Sequence, residues 1–210
     1  MQVQQPAEDR RAHWDGVYKR NAPDAVSWYR PHLETSLRLI QDAAGSDSSI
    51  LDVGGGHSIL VDDLLSRGYR KITVLEVSEA ALNLAKLRLG VAAEPVTWQV
   101  DDILTASLQE GSYDVWHDRA VFHFLTNPEQ RSVYRRQATH ALKPGGNLII
   151  ATFGPQGPMK CSGLEVCRYS AETLAAVLGS RFTLTESLIE IHKTTSGTEQ
   201  QFLYCSFRFL

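Results

Sequence analysis

The stretch that decides the fold is Leu51-Asp-Val-Gly-Gly-Gly-His57, a short apolar run that ends in three consecutive glycines. It is typical of a buried strand that enters a tight turn, because glycine tolerates a positive φ and close backbone contact. Helical apolar spacing follows at once, with Leu60 and Leu64 four residues apart before Gly68. The segment therefore predicts a strand, a glycine-rich turn that a ligand can approach, and a helix.

Strands and helices alternate along the rest of the chain. Short buried strands are predicted at residues 49–53, 71–76, 95–100, 113–117 and 147–153. Ser78, Asn127 and Ser170 are predicted to cap helices between and after them. Two longer β-type runs, residues 182–193 and 201–210, predict a hairpin at one edge of the sheet. This alternation predicts an α/β fold with a parallel sheet, helices on both faces, and ligands at the carboxyl ends of the strands.

The length and the N-terminal pattern predict one domain. Apolar residues at positions 33, 37, 40 and 44 share one helical face, so the N-terminal region is expected to pack on the core. The 210 residues contain no repeat and no low-complexity linker. We therefore expect a single domain over residues 1–210, with a helical cap at residues 1–45 and an α/β core at residues 49–210.

Composition and charge limit the possible partners. The chain has 21 Lys+Arg against 24 Asp+Glu and no long basic run, which disfavours nucleic acid and anionic membranes as partners. Its 3 cysteines have no CxxC spacing, so neither a disulfide scaffold nor a metal site is predicted. The first residues have no apolar secretion signal, and no apolar run approaches the ~18 residues of a membrane span. A cytoplasmic location is expected.

Acidic residues end three successive predicted strands beside the glycine turn. Asp52 precedes the turn, and Glu76 follows about twenty residues later, where a carboxylate can accept both hydroxyls of a ribose. Asp102 and the Ile103 N–H offer an acceptor and a donor to a purine. Each of these is also typical of an ordinary turn or strand end. Their occurrence in order favours a nucleoside site.

Two alternatives start from the same glycine turn. A nicotinamide or flavin fingerprint needs a glycine three positions after Gly56, where this chain has Ile59. An oxidoreductase is therefore disfavoured. A module that binds a nucleoside without catalysis stays open.

Five segments occur in the order of the motifs of one enzyme family: LDVGGGHS, VLEVSEAAL, VDDI, SYDVWHDRAVFHFL and ALKPGGNLIIATF. Over residues 49–153 the chain resembles the class I S-adenosylmethionine-dependent methyltransferases. The resemblance implies a Rossmann-like, doubly wound, seven-stranded sheet, mostly parallel with an antiparallel C-terminal strand. One departure is Ser58, where the family often has a third glycine.

The resemblance also implies S-adenosylmethionine as the cofactor and a set of residues that contact it. The glycine turn would face the methionine part, Glu76 the ribose, and Asp102 with the Ile103 N–H the adenine. The implied cofactor residues are Trp28, Asp52, Gly54, Gly56, Glu76, Val77, Asp102, Ile103 and His117.

The N-terminal segment carries a second resemblance. His13-Trp14-Asp15-Gly-Val-Tyr18 and Val26-Ser-Trp28-Tyr29 resemble the WDxxY and WY entry of a branch with both protein-lysine and small-molecule methyltransferases. In that branch the aromatic segment folds over the cofactor, which implies that Trp28 or Tyr29 covers its methionine end. The helical spacing of Trp14 and Tyr18 is equally typical of packing residues.

Catalytic residues are expected after the fourth predicted strand, which would face the transferring methyl group. Methyl transfer is an in-line displacement that needs alignment, plus a base when the acceptor carries a proton. We predict His123 as that base and Arg119, in a segment similar to the DRxA segment of thiopurine-type methyltransferases, as its companion. The alternatives are a core position for His123 and an ion pair of Arg119 with Asp118 or Asp114.

The Gly- and Pro-rich loop 154–163 is predicted to be a lid. Cys161 within it is a candidate contact for a soft acceptor, and His192 is a candidate neighbour of the same site. Because the chain is nearly minimal for the fold, we predict a methyltransferase that acts on a small molecule through an N, O, S or chalcogen nucleophile. The alternatives are a protein-lysine N-methyltransferase and the non-catalytic nucleoside-binding module.

Overall fold

The structure is a computed structural model that describes residues 7–210, with side chains from residue 9 onward. Residues 1–6 of the predicted N-terminal cap lie outside the described residues. The helices are α1 (Ala7–Arg20), α2 (Glu34–Ala43), α3 (Leu60–Ser66), α4 (Glu79–Leu89), α5 (Pro128–Ala141) and α6 (Ala171–Leu178). The strands are β1 (Ser49–Val53), β2 (Lys71–Glu76), β3 (Thr97–Val100), β4 (Tyr113–Arg119), β5 (Leu142–Phe153), β6 (Lys160–Cys161), β7 (Leu164–Glu165), β8 (Phe182–Lys193) and β9 (Glu199–Phe209).

The main sheet of the described residues has seven strands in the order β3-β2-β1-β4-β5-β9-β8. Neighbours from β3 to β5 pair in parallel, and β9 runs antiparallel to both β5 and β8. The predicted Rossmann-like sheet with an antiparallel C-terminal strand is confirmed. The order reverses between β1 and β4, which is the point where doubly wound sheets bind ligands.

The core has two layers, one on each face of the sheet. Successive residues of β1 point to opposite faces, so Ile50 belongs to one apolar cluster and Leu51 to the other. The first cluster includes apolar side chains of α2, α3 and α4, and the second includes those of α5 and α6. Burial on both faces explains why these strands are almost continuously apolar.

The predicted helix caps are present. Ser78 Oγ accepts a hydrogen bond from Ala81 N at 3.2 Å, and Asn127 Oδ1 accepts one from Glu129 N at 2.8 Å. Ser170 forms a capping box with Thr173. These caps fix where α4, α5 and α6 begin.

Three local features differ from the prediction. Strand β4 continues to Arg119, two residues beyond the predicted end, because Arg119 still pairs with Ala151. The predicted lid loop 154–163 contains β6, which forms a two-stranded hairpin with β7 directly after the loop. Strand β5 begins at Leu142, which pairs with Tyr113. Among the described residues, no helix is long and apolar enough to cross a membrane.

Candidate functional site

A cavity of about 430 Å³ lies at the carboxyl ends of the central strands. Helix α1, the segment that leads to α2, and the β6–β7 hairpin contribute its other walls. Most residues predicted from the sequence line it: Trp28, Asp52, Gly54, Glu76, Val77, Asp102, Ile103, His117 and Arg119. Gly56 and His123 are not among its lining residues.

The glycine turn after β1 is tightly enclosed. Gly54 and Gly56 have backbone φ angles of +67° and +55°, which residues other than glycine rarely adopt. A Cβ at Gly54 would overlap Val121, and a Cβ at Gly56 would lie 2.5 Å from the hydroxyl of Tyr18. Gly56 therefore contacts α1 directly, which explains why it does not line the cavity.

Glu76 ends β2 as a carboxylate that is only 5% exposed. Its Oε1 accepts a hydrogen bond from Ser78 N at 2.9 Å. Burial raises the pKa of Glu76 to about 7, against the opposing effect of the backbone donors. The cavity thus presents a buried acceptor that gains from any ligand hydroxyl that donates to it.

Asp52 takes part in a buried chain of three side chains. The Nδ1–H of His117 donates to Asp52 Oδ1 at 2.7 Å, and His117 Nε2 is hydrogen-bonded to the Ser36 hydroxyl at 2.9 Å. All three are almost fully buried, and Ser36 comes from α2. The chain fixes the orientation of the Asp52 carboxylate at the cavity wall.

Asp102 is partly occupied by contacts within the protein. Its Oδ2 accepts from Arg10 Nε at 2.7 Å, and its Oδ1 accepts from Leu104 N at 2.9 Å. Arg10 belongs to α1 and also lines the cavity. A purine amino group would therefore share this carboxylate with Arg10.

Helix α1 is anchored at a second point. Asp15 Oδ1 accepts a hydrogen bond from the Ser78 hydroxyl at 2.6 Å and one from Ala80 N at 3.3 Å. A carboxylate at the start of α4 also interacts favourably with the dipole of that helix. These contacts keep α1 on the edge of the sheet where the cavity lies.

Aromatic rings from the N-terminal segment pack on the cavity. The Trp14 ring contacts those of Trp28 and Phe124 with centroid distances of 5.9 and 5.2 Å, and Tyr18 contacts Trp28 at 6.3 Å. All four rings line the cavity. The aromatic residues of the WDxxY…WY segment therefore do both things that the sequence suggested: they pack on one another and they line the cavity.

Arg119 is half-buried in the cavity wall, and its contacts are with neutral groups. Its Nε donates to the Tyr204 hydroxyl at 3.0 Å, and its Nη1 donates to the Trp28 carbonyl at 3.1 Å. Its guanidinium carbon lies 4.6 Å from the centre of the Phe202 ring. Its Nη2 is buried with no hydrogen-bond partner among the described residues. The alternative ion pair with Asp118 does not form, because Asp118 accepts from Tyr134 at 2.6 Å on its other side.

The structure does not bring His123 to the cavity, which corrects its predicted role as the base. Its ring is fully buried between Phe124 and Phe153, with centroid distances of 4.5 and 4.7 Å. Burial lowers the pKa of His123 to about 3. This environment fits the alternative interpretation of the sequence, in which His123 is a core residue.

The two other candidate residues have different surroundings. Cys161 lines the cavity, and burial raises the pKa of its thiol to about 11, so it is a neutral thiol at pH 7. His192 accepts from Arg30 Nε at 2.9 Å and donates to the Ser27 carbonyl at 2.7 Å. His192 therefore supports the segment around Trp28 and is not among the lining residues of the cavity.

Several cavity contacts were missed from the sequence. Ser36, Phe202 and Tyr204 lie far along the chain from the residues that they touch. No local motif marks them, because only the packing of α2 on β4 and the pairing of β9 with β5 bring them there. Arg10 lies four positions before Trp14, the first residue of the WDxxY segment, and this spacing of one helical turn was a usable signal.

Comparisons with known proteins agree with this architecture. The family described as "Methyltransferase domain" matches residues 50–146. EEF1A lysine methyltransferase 2 of Danio rerio is 24% identical over 195 residues, covering 85% of this chain and 77% of that protein.

Solved structures share the fold. The 1,6-didemethyltoxoflavin-N1-methyltransferase of Burkholderia thailandensis, solved with S-adenosylhomocysteine, has a TM-score of 0.74 at 17% identity and covers 100% of this chain and 92% of its own. N-methyltransferase NodS of Bradyrhizobium japonicum WM9 has a TM-score of 0.70 at 20% identity, with coverages of 92% and 97%. With the methyltransferase-domain match over residues 50–146 and the sheet topology, the chain is an S-adenosylmethionine-dependent methyltransferase.

Proposed function

We propose that this methyltransferase acts on a small-molecule acceptor, which binds beside the cofactor in the cavity at the ends of β1, β2 and β4. The proposal includes one catalytic domain over residues 1–210 and a cytoplasmic location of the protein. The observation that supports it most directly is the charge of Arg119. An unneutralised guanidinium in the cavity wall opposes the approach of a lysine ammonium and favours a neutral or anionic acceptor.

The residues of the cavity fit the cofactor. Gly54 lines the cavity at a position where a Cβ would overlap Val121, and the carboxylates of Asp52, Glu76 and Asp102 can accept from an ammonium, from ribose hydroxyls and from a purine amino group. The apolar side chains of Val77 and Ile103 can cover the faces of the purine. When bound, S-adenosylmethionine would supply an electrophilic methyl group to a lone pair of the acceptor, with S-adenosylhomocysteine as the leaving group.

The role of this chain is then mainly to align the acceptor and exclude water. The aromatic rings of Trp14, Trp28 and Phe124 and the β6–β7 hairpin close the cavity around the reacting atoms. With His123 in the core, no predicted base remains at the cavity. An acceptor that is already deprotonated at neutral pH, or that loses its proton to water, fits this site best.

A protein-lysine N-methyltransferase is the second candidate. It is favoured by the similarity to EEF1A lysine methyltransferase 2, which acts on a protein. A lysine acceptor would have to enter past Arg119, which lines the cavity.

Methyl transfer from tritiated S-adenosylmethionine tests the two candidates in parallel. One set of reactions contains small thiols, amines, hydroxy compounds and chalcogen oxyanions, and the other contains lysine peptides and a whole-cell protein extract. We expect label in low-mass products alone. Label that appears only in peptides or proteins would contradict the proposal and establish the second candidate.

A further inference from the structure

Arg119 differs from the other arginines of the cavity in its partners. Arg10 pairs with Asp102, and Arg30 pairs with Glu190 at 3.3 Å. Among the described residues, no carboxylate lies within ion-pair distance of the Arg119 guanidinium. Buried charges in proteins are normally neutralised by a partner, so a cation left without one at a cavity points to a ligand anion.

Neighbouring groups cannot supply the missing charge. Cys161, the nearest thiol on the β6–β7 hairpin, is kept neutral by burial, which raises its pKa to about 11. The hydroxyl of Tyr204 and the carbonyl of Trp28 are neutral acceptors. The positive charge of Arg119 also contributes, after burial, to the lowered pKa of His192 on β8. Arg119 therefore keeps its positive charge without a compensating group in contact with it.

The surfaces beside Arg119 are aromatic. Phe202 lies under the guanidinium, and Trp28 and Phe124 form adjacent wall. Flat apolar walls of this kind match a planar ligand body, while a single charged group fixes its orientation.

We infer that Arg119 binds a carboxylate or a comparable oxyanion on the methyl acceptor, and that the acceptor is a small aromatic acid. The inference rests on the proposed function and specifies its substrate class. Arg119 is the recognition residue, and the nucleophilic atom is a separate group on the same acceptor. The Nη2 group of Arg119, which has no hydrogen-bond partner among the described residues, would donate a hydrogen bond to the anion.

The anion could come from two sources, because the cofactor also carries a carboxylate. To decide whether Arg119 binds the anion of the acceptor or the carboxylate of the cofactor, we compare S-adenosylhomocysteine, which has this carboxylate, with 5′-methylthioadenosine, which lacks it. The Arg119→Gln variant removes the charge, and Arg30→Gln is the matched control, since Arg30 lines the same cavity but already has partners.

The experiment is calorimetric titration of benzoate and of benzamide into the complex with S-adenosylhomocysteine. We expect benzoate to bind at least about tenfold more tightly than benzamide, because only the acid has the charge. The Arg119→Gln variant should lose this preference and keep its affinity for S-adenosylhomocysteine, and Arg30→Gln should keep both. The comparison of the two probes on the unmodified protein is informative even if a variant fails to fold.

Equal binding of the two probes, or binding of neither, would overturn the inference. A variant Arg119→Gln that binds S-adenosylhomocysteine at least about tenfold more weakly, but 5′-methylthioadenosine equally well, would also overturn it and assign Arg119 to the cofactor carboxylate. These outcomes do not depend on turnover. Failure of the proposed function would show separately, as labelled peptides in the transfer assay.

Discussion

Glu76 is a carboxylate held out of water at the end of β2, and this burial affects both stability and binding. In the folded chain its pKa is about 7, above the ordinary value of 4.5. A group whose pKa rises on folding stabilises the fold fully below its unfolded pKa, and this contribution is lost as the pH rises through the folded pKa. The loss therefore falls between about pH 4.5 and pH 7.

Substitution of Glu76 by Gln should stabilise the protein at alkaline pH. The amide can still accept from Ser78 N, and it removes a buried charge that costs about 1–3 kcal/mol. Urea denaturation at pH 8 should show a higher free energy of unfolding for the variant, and the gain should shrink at pH 5. Equal stability of the two proteins at pH 8 would show that Glu76 is well solvated in the folded state.

At His123 we expect a substitution to have the opposite effect on the free energy of unfolding, because its ring is part of the core. The change His123→Gln should lower the free energy of unfolding by about 1–3 kcal/mol through lost packing. It should leave S-adenosylhomocysteine affinity within about twofold, since the ring does not line the cavity. A stable variant with turnover reduced by about 10²-fold would restore the role of a base.

The residues at strand ends could be predicted, and those reached by tertiary packing could not. Asp52 and Glu76 follow short apolar runs, so their place at the ligand edge follows from the parallel sheet. His123 was ambiguous, because a histidine beside aromatic residues fits a core as well as a site. Tyr204 reaches Arg119 across 85 positions of sequence, and no periodicity encodes that distance.

Helix α1 is the element that decides access to the cavity. It contributes cavity walls and holds its place through Arg10 on Asp102 and Asp15 on the start of α4. Because Arg10 shares the Asp102 carboxylate, a bound adenine and the docked helix contact the same group. The position of α1 and the affinity for the nucleoside are therefore linked.

Removal of the Asp15 carboxylate should loosen α1. Asp15→Ala loses the hydrogen bonds to Ser78 and Ala80, so trypsin should cleave after Arg20 at least about threefold faster. Asp24→Ala, at an exposed position, is the control and should match the unmodified chain. Identical cleavage rates in all three proteins would mean that the aromatic contacts alone hold α1.

Element types were predictable, but some ends were not. Capping residues such as Ser78 and Asn127 fixed helix starts, because their side chains satisfy backbone donors locally. The end of β4 was predicted two residues early, because Asp118 and Arg119 are polar and only pairing with β5 keeps them in the strand. The short β6–β7 hairpin has too few residues for any periodic signal.

At the scale of the whole molecule, the sheet order places the cavity. The strand order reverses between β1 and β4, and this reversal opens a crevice at the carboxyl ends of the strands. The glycine turn and Glu76 both line the cavity there. Alternating apolar patterns predicted the parallel part of this sheet. The family resemblance implied an antiparallel C-terminal strand, but the position of β9 between β5 and β8 was not predicted, because a hairpin pattern alone does not say which strand is inserted.

The fold does not identify the acceptor, because one architecture serves many substrates. The feature of this chain that bears on the acceptor is the composition of its cavity, which combines acidic groups with the unneutralised Arg119. The substrate is therefore specified by side chains rather than by topology.

The most direct test of the account is calorimetric titration of the unmodified protein and Glu76→Gln with S-adenosylhomocysteine and with NAD. We predict micromolar binding of S-adenosylhomocysteine that weakens below pH 7 as Glu76 takes up a proton, with Tyr18 and Asp52 as its nearest titratable neighbours. The variant should bind at least about tenfold more weakly at pH 8 and lose the pH dependence, and NAD should not bind. Binding of NAD, or equal affinity of both proteins for S-adenosylhomocysteine, would contradict the assignment of the cavity at Glu76 as the cofactor site.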